Sequence, residues 1–301
     1  MDEVETAQPH QRPLWRRIAD YPLVAMLIAV VIFIAAVAIG IAVGKPLESM
    51  AQPARAAIRA AINIALVLAA YKLLIVRLGE HPRDDLRWQQ DSGKNLGLGL
   101  LAGFAIMALA VGVAAAIGVY RITGPGDTST LVLELVGTAI VPGFMEELFF
   151  RGILFRWLEE FGGSWLALLL TSALFGAAHL GNPNATAFSA FCIAVEAGVL
   201  LGAAYMVTRS LWLPMGLHAA WNFTQGEVFD VPVSGIDEHG LVTAQMSGPP
   251  LLSGGNFGLE GSIIGLTIAT AAGLWLVWLA VKQGKIVRPM WSRPKVEAVT
   301  A

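Results

Sequence analysis

Long apolar runs, separated by short polar stretches, divide most of the chain into segments of membrane length. A helix needs about 20 mostly apolar residues to cross the hydrocarbon layer of a bilayer. Eight segments approach that length, and they cover residues 22–44, 56–78, 95–120, 129–152, 164–181, 185–207, 211–226 and 260–281. The pattern therefore predicts an all-α fold, a polytopic transmembrane helix bundle of about eight spans.

The predicted spans differ in the polar groups that they carry. The first, third and eighth are almost purely apolar, whereas the second contains Arg59 and Lys72, which can reach the membrane surface or face the bundle. The fourth, fifth and seventh are short or carry ionisable groups, so function is expected there. Residues 226–259 are rich in Gly, Pro and Ser and predict an ordered or partly ordered outer loop.

Positive charge predicts how these spans are oriented. Lys and Arg concentrate in the tails and in every second connection, and residues 210–281 contain neither. Because cytoplasmic connections carry the excess of Lys and Arg, both termini are expected in the cytoplasm, with an even number of spans. We therefore predict a membrane domain at 22–281, with a motif core at 129–226, between cytoplasmic tails at 1–21 and 282–301.

Composition supports a membrane protein and limits its possible partners. Hydrophobic residues make up 56% of the chain and charged residues 14%, against about 25% charge in an average soluble domain. A formal net charge of −2 gives no indication of a nucleic-acid partner. Cys192 is the only cysteine, which excludes an intrachain disulfide and a cysteine-based metal cluster. We expect a multi-pass protein of a bacterial cytoplasmic membrane.

Ionisable side chains inside a membrane are costly and mark functional sites. Glu146 and Glu147 lie in the fourth predicted span, and Arg151 follows Glu147 by four residues, so these two share a helical face and can form an ion pair. Glu146 then keeps an unpaired carboxylate, and desolvation suits such a group to act as a general base near neutral pH. A purely architectural Glu–Arg pair would leave Glu146 unexplained.

The depth of His179 in the fifth span matches that of Glu146 in the fourth. Gly162 and Gly163 predict a turn between these spans. Glu146 lies 16 residues before Gly162, and His179 lies 16 residues after Gly163, which is about 24 Å along each helix. In an antiparallel hairpin, equal distances from the turn give equal depth, so Glu146 and His179 are predicted to meet.

Two polar residues of the seventh span, His218 and Asn222, are four apart and share one face. Paired donors on one face suit a developing oxyanion, although helix–helix hydrogen bonding explains such a pair as well. Phe175, one turn before the histidine of the fifth span, either packs on that imidazole or is a core aromatic. Glu196 in the sixth span either lines a cavity or pairs with a cation such as Arg59.

Three motifs on the fourth, fifth and seventh apolar segments carry a family resemblance. They read Glu146-Glu147-x-x-x-Arg151, Phe175-x-x-x-His179 and His218-x-x-x-Asn222. In order, spacing and residue type they resemble the CAAX prenyl endopeptidase and bacteriocin-processing family of intramembrane proteases, over about residues 129–226. The resemblance implies an endopeptidase that acts near the C-terminus or within a membrane-associated segment of its substrate.

The resemblance also implies roles and partners. The implied roles are water activation by Glu146 and His179, an oxyanion hole from His218 and Asn222, and support from Glu147, Arg151 and Phe175. The implied partners are a membrane-associated protein or peptide substrate and the lipid bilayer. In the favoured mechanism no cofactor is required, because Asn222 beside His218 suits a donor pair better than a ligand set. A zinc ion held by Glu146, His179 and His218 is the alternative.

Two other functional classes are compatible with buried Glu and His residues. A non-catalytic membrane scaffold or peptide-immunity protein would keep the motifs without turnover. A proton-coupled transporter would use the buried groups as proton relays, but such folds often contain inverted repeats, and the sequence shows none. The His-Glu-x-x-His zinc helix and the Gly-x-Ser-x-Gly nucleophile turn are both absent.

Overall fold

The computed structural model describes residues 13–293, and the parts of the predicted tails at 1–12 and 294–301 lie outside that range. Most of the described chain is helical, which confirms the predicted all-α polytopic bundle. Its α-helices are α1 Leu14–Asp20, α2 Pro22–Gly44, α3 Gln52–Leu73, α4 Ser92–Ala116, α5 Leu131–Glu134, α6 Val141–Glu147, α7 Arg156–Ala178, α8 Ala187–Ile193, α9 Val199–Thr208, α10 Trp212–Phe223, α11 Pro250–Ser253 and α12 Ile263–Lys282.

Six helical stretches within residues 13–293 are long and apolar enough to cross a membrane. They are Pro22–Ser49, Gln52–Arg77, Ser92–Ala116, Leu131–Gly181, Ala187–Thr208 and Ile263–Lys282. The fourth stretch is 51 residues long and contains two of the predicted spans, while the predicted span at 211–226 corresponds to the shorter α10. The protein is thus an integral multi-pass membrane protein. Eight crossings and cytoplasmic termini stay predictions.

Peripheral helices are apolar on their outer faces. α2 begins at Pro22, and proline suits the first turn of a helix because its missing N–H is not needed there. Its side chains Leu27, Val31 and Ile34 are 60%, 65% and 57% exposed. A soluble monomer rarely exposes such a continuous apolar surface, so this face is the one that lipid covers.

Glycines bring α4 and α10 into backbone contact. A Cβ built on Gly99 or Gly103 of α4 would lie 2.3 Å from a carbonyl oxygen of α10, and one built on Gly216 of α10 would lie 2.6 Å from a carbonyl oxygen of α4. Close approach through small residues is typical of membrane helices. The contact fixes the level of His218 and Asn222, which lie on the same helix as Gly216.

The long helix α7 is broken at Gly163, where φ is 81° and ψ is 171°. Glycine adopts such positive φ values without steric cost. Phe150 lies 12 residues before Gly162 and Phe175 lies 12 residues after Gly163, and the centroids of their rings are 4.9 Å apart. This contact confirms the predicted turn and the antiparallel arrangement of the fourth and fifth predicted spans.

The segment after α12 packs against this turn. Ser164 N–H donates to the Val287 carbonyl at 3.0 Å, and Val287 N–H donates to Ser164 Oγ at 2.8 Å. A Cβ on Gly163 would lie 2.8 Å from the same Val287 oxygen. The Arg293 guanidinium donates to the Glu160 carbonyl at 2.6 Å. The turn between the two motif-bearing spans is therefore held by the end of the described chain.

Four stretches of the described chain have π-helical geometry, which is rare and often occurs at functional sites. They are Leu135–Ile140, Leu148–Phe155, Ala194–Gly198 and Thr224–Val228. The first two flank the motif glutamates on α6, the third contains Glu196, and the fourth follows α10. Irregular winding is thus concentrated around the candidate site.

The predicted outer loop is ordered and folds back onto the helices. Strand β1 Tyr120–Pro125, which follows α4, pairs antiparallel with strand β2 Val242–Met246 of the loop. These two short strands are an exception to the predicted all-α pattern. Val231, Phe257 and Leu259 of the loop are 0%, 2% and 0% exposed, so the loop contributes apolar side chains to the interior.

Candidate active site

A buried carboxylate, Glu147, binds two partners at once. Its Oε1 accepts from Arg151 Nη1 at 2.8 Å and from His218 Nδ1 at 2.9 Å. Glu147 and Arg151 are both 0% exposed. The predicted ion pair between them is therefore present, and the bond to His218 joins the fourth predicted span to α10.

Arg151 also ties its helix to the π-helical stretch at 194–198. Its Nη2 donates to the carbonyl oxygens of Ala197 at 3.4 Å and Gly198 at 3.2 Å. Its guanidinium carbon lies 4.7 Å from the centroid of the Phe175 ring, within the range of a cation–π interaction. Buried charges require such multiple partners because each unpaired group costs several kcal/mol.

His179 has one ring nitrogen engaged and the other free. Its Nδ1 lies 2.7 Å from the Phe175 carbonyl oxygen. A carbonyl accepts only, so Nδ1 carries the hydrogen and Nε2 keeps its lone pair in the neutral ring. The Phe175 ring lies 4.8 Å from the His179 ring and 6.0 Å from the His218 ring, measured between centroids. Phe175 therefore packs on both imidazoles.

A small cleft brings together residues from several elements. Its polar lining consists of His179, His218, Trp221, Asn222, Ser234 and Glu260. The remaining lining is apolar and comes from α7 to α10 and the stretch at 194–198. Two imidazoles, an amide and a carboxylate thus face one small space with otherwise apolar walls.

The donors expected of His218 and Asn222 are only partly free. Asn222 Nδ2 donates one hydrogen to the Thr138 carbonyl at 2.8 Å, which leaves its second hydrogen for another acceptor. His218 donates through Nδ1 to Glu147, so donation through Nε2 as well requires the protonated ring. The sequence predicts a pair of donors on this face, and the structure shows that one hydrogen of each is already engaged.

Thr138, in the π-helical stretch before α6, links Asn222 to the outer loop. Its carbonyl holds Asn222, and its hydroxyl donates to Glu238 Oε1 at 2.8 Å. Burial raises the pKa of the Glu238 carboxyl above its ordinary value, and the hydrogen bond from Thr138 opposes that shift. The position of Asn222 is therefore connected to a buried acid outside the membrane spans.

Glu146 is half-buried, and its Oε2 has no hydrogen-bond partner within residues 13–293. Glu146 lies close enough to His218 and Arg151 for its carboxylate to interact electrostatically with both side chains. The hairpin register places it one turn beyond Phe150, as His179 lies one turn beyond Phe175. The structure shows no hydrogen bond between Glu146 and His179, and Glu146 does not line the cleft. The predicted meeting of these two side chains stays a prediction.

Glu260 is a candidate site residue that the sequence reading does not single out. It precedes α12 and is 2% exposed. Its Oε1 accepts from Ser234 N–H and from Ser234 Oγ, the latter at 2.6 Å, and its Oε2 accepts from Trp221 Nε1 at 3.2 Å. The sequence shows only an acidic residue at the start of an apolar run. The hydrophobic pattern gives no indication that this residue contacts α10.

Glu196 lies close to Glu260 and has no cationic partner of the kind predicted. It is fully buried, and neither of its carboxyl oxygens has a hydrogen-bond partner among the described residues. Arg59, the predicted cation, instead donates to the Gly44 carbonyl at 3.0 Å and pairs with Glu48 at 3.5 Å. That pairing is therefore wrong.

The positions of the possible zinc ligands show which residues can share an ion. Between residues 13 and 293, a set of three His, Cys, Asp or Glu ligand atoms within 4.8 Å of one another occurs at Glu80, His81 and Glu160. Glu146, His179 and His218 do not form such a set. Their arrangement therefore does not fit the three-ligand His₂Glu set of a catalytic zinc ion.

Comparison with known proteins finds a family match over the segments that carry the motifs. Residues 128–224 are similar to the type II CAAX prenyl endopeptidases, Rce1-like. This matched stretch is called the Rce1-like core. YdiL of Bacillus subtilis (strain 168), which carries a provisional assignment as a membrane peptidase, is 27% identical over 175 residues, covering 53% of this chain and 68% of that protein. No solved structure gives a significant match.

The resemblance predicted from the three motifs is thereby confirmed for the Rce1-like core. The core contains the seven motif residues and Thr138 and Glu196. Ser234 and Glu260 lie beyond residue 224, outside the matched region. The cleft is therefore built partly from the Rce1-like core and partly from the outer loop of this chain.

Proposed function

We propose that this protein is an intramembrane endopeptidase that hydrolyses a peptide bond of a membrane-associated protein or peptide. The observation that carries the proposal is the cleft, where His179, directly after α7, and two side chains of α10 present two imidazoles and an amide to one space. Such groups are costly within a membrane unless they serve a reaction or a ligand. The Rce1-like match and the resemblance to YdiL support the same class of activity.

We assign activation of the attacking water to Glu146 and His179. Each keeps a free acceptor, Oε2 of Glu146 and Nε2 of His179, and a general base needs such an acceptor within reach of the water. Water attacks the carbonyl carbon as its proton passes to this pair. The carbon–nitrogen bond then breaks, and the proton passes to the leaving amine.

The developing oxyanion is assigned to His218 and Asn222. The second amide hydrogen of Asn222 and the Nε2–H of a protonated His218 are the available donors. Glu147 accepts the hydrogen bond from His218 Nδ1, and Arg151 holds Glu147 in place. Preoriented donors of this kind typically supply about 3–4 kcal/mol of transition-state stabilisation each.

An apolar groove supports a substrate that reaches the site from the membrane. The groove lies between α4, α9, α10 and α12. Lys94, Asn95 and Gln283 line part of it, and most of its wall is apolar. Leu200 and Leu217 line both the groove and the cleft. An apolar segment in the groove would therefore lie against the wall of the site.

The proposal is tested with purified protein in proteoliposomes and an internally quenched, membrane-anchored peptide. Glu146→Gln and His179→Ala should each lower kcat by at least about 100-fold, because each removes a proton acceptor. Glu48→Gln and His239→Ala change an exposed residue of the same type and should keep wild-type rates. Melting temperature and elution volume check that each variant is folded.

Unchanged cleavage in both site variants would refute the assignment of these roles. Lack of cleavage by the folded wild-type protein, across peptides with and without a lipid anchor, would favour the non-catalytic scaffold. Uptake of protons or solutes into the same vesicles would favour the transporter.

A further inference from the structure

One wall of the cleft carries a carboxyl group and lies outside the Rce1-like core. Glu260 and Ser234 form this wall, and they come from the outer loop and the residues just before α12. Glu260 is buried beside the cleft, where low polarity strengthens the effect of its charge on anything bound there. A substrate in the cleft would therefore meet this charge directly.

Three donors converge on the Glu260 carboxylate, and all three are neutral. Two come from Ser234, through its N–H and its hydroxyl, and the third is the indole N–H of Trp221. Three donors on two oxygens suit the ionised, acceptor-only form of a carboxyl group. They orient and stabilise the carboxylate, but they add no positive charge that would cancel it.

Within residues 13–293, no Lys or Arg forms an ion pair with this carboxylate. Residues 210–281, which form α10, the outer loop and nearly all of α12, contain no Lys or Arg. Arg151 is paired with Glu147. The ionisable groups near Glu260 are His179 and His218, which line the same cleft, and Glu196, which brings no positive charge. Oε2 of Glu260 accepts only the Trp221 bond and has room for another donor.

We propose that Glu260 and Ser234 form a substrate subsite for a cationic, hydrogen-donating group beside the scissile bond, such as a lysine or arginine side chain. The inference rests on the proposed peptidase function and adds a preference for charge to it. A cation would pair with the carboxylate and restore electrical balance to this wall. An acidic side chain at the same position would bring a second negative charge into a nearly dry space, which is strongly unfavourable.

The test uses quenched peptides that differ at one position, Lys, norleucine or Glu, placed in turn on each side of the scissile bond. Phosphatidylcholine vesicles avoid attraction of the Lys peptide to the membrane itself. Wild-type protein should cleave the Lys peptide with at least about tenfold higher kcat/KM than the Glu peptide at one position, as for one charge-assisted bond. Glu260→Gln should reduce that ratio to near one while the norleucine peptide is still cleaved.

Two variants provide matched controls. Glu260→Asp keeps the charge and should keep the sign of the preference. Asp237→Asn removes an exposed negative charge from the same loop and should keep the full preference. A general loss of structure would lower the rates for all three peptides together, so only the ratio reports on the subsite.

Binding of the uncleaved peptides to Glu146→Gln protein separates this proposal from the peptidase proposal. Tighter binding of Lys than of Glu peptide, without turnover by any variant, supports the subsite and refutes the peptidase. Turnover by wild-type protein with a Lys-to-Glu ratio near one refutes the subsite alone. The same conclusion follows if Glu260→Gln retains the full ratio. Should Glu260→Gln not fold, a binding ratio near one on Glu146→Gln protein still overturns the proposal.

Discussion

Glu147 is the residue through which the candidate site is held together, because one of its oxygens binds both Arg151 and His218. A buried ion pair is costly to form, but it is costlier to break on one side. The carboxylate therefore depends on the guanidinium, and the orientation of the imidazole depends on the carboxylate. Loss of either partner should affect the fold as well as the chemistry.

Arg151→Met provides the corresponding test. It leaves Glu147 buried without its cation, and we expect the free energy of unfolding to fall by roughly 3–5 kcal/mol. The double variant Glu147→Gln/Arg151→Met should lose less, because no unpaired charge remains. Denaturant unfolding in bicelles measures both, with Arg121→Met at an exposed position as the control. A double variant as unstable as the single one would show that the loss does not come from the stranded charge.

Residue spacing predicts contacts within one helix better than contacts between helices. Glu147 and Arg151 could be paired from sequence because their separation of four places them on one face. The hydrogen bond from His218 to Glu147 joins residues 71 positions apart, and no rule based on spacing within one helix predicts it. Glu260 was missed for the same reason, since its partners Ser234 and Trp221 lie 26 and 39 residues away.

At the scale of helices, the contact between α4 and α10 determines where His218 and Asn222 lie. The two backbones approach closely at Gly99, Gly103 and Gly216, where any side chain would strike a carbonyl oxygen. An added methyl group must therefore push the helices apart. Such a displacement would move His218 away from Glu147.

Gly103→Ala is expected to lower stability by about 1–3 kcal/mol, the usual range for overpacking, and to reduce peptide cleavage. Gly112→Ala on the same helix is the matched control, because a Cβ there meets nothing within 4 Å. It should be neutral or slightly stabilising, since alanine favours a helix more than glycine does. Thermal unfolding and cleavage rates would compare the two. Equal effects of both substitutions would contradict close contact at Gly103.

The lengths of the apolar segments predicted where the helices lie. They did not predict the irregular turns within those helices. The predicted span at 22–44 coincides with α2 Pro22–Gly44, because a run of apolar residues in lipid must satisfy its backbone as a helix. The π-helical stretches carry no such signal, since they depend on how neighbouring helices pack. Strands β1 and β2 lie beyond the spans, where the length criterion does not apply.

For the whole molecule, the distribution of Lys and Arg predicts which side of the membrane each loop faces. Cys192 is buried and is the only cysteine, so Cys192→Ser gives a background for site-directed labelling. A cysteine in place of Asp237 should react with a membrane-impermeant maleimide added to intact cells. One in place of Glu80 should react only after the cells are opened. The reverse pattern would show that the predicted orientation is inverted.

Two hydrogen bonds join Ser164 to Val287. The residues after α12 must therefore be kept when the protein is shortened or fused for experiments. A protein that ends directly after α12 would lose these bonds to the turn of the helical hairpin that carries Glu147, Arg151 and His179. Purification tags and reporter fusions are therefore best joined beyond Arg293. If a truncated form is inactive, the stability of this hairpin should be measured before the loss is attributed to the catalytic residues.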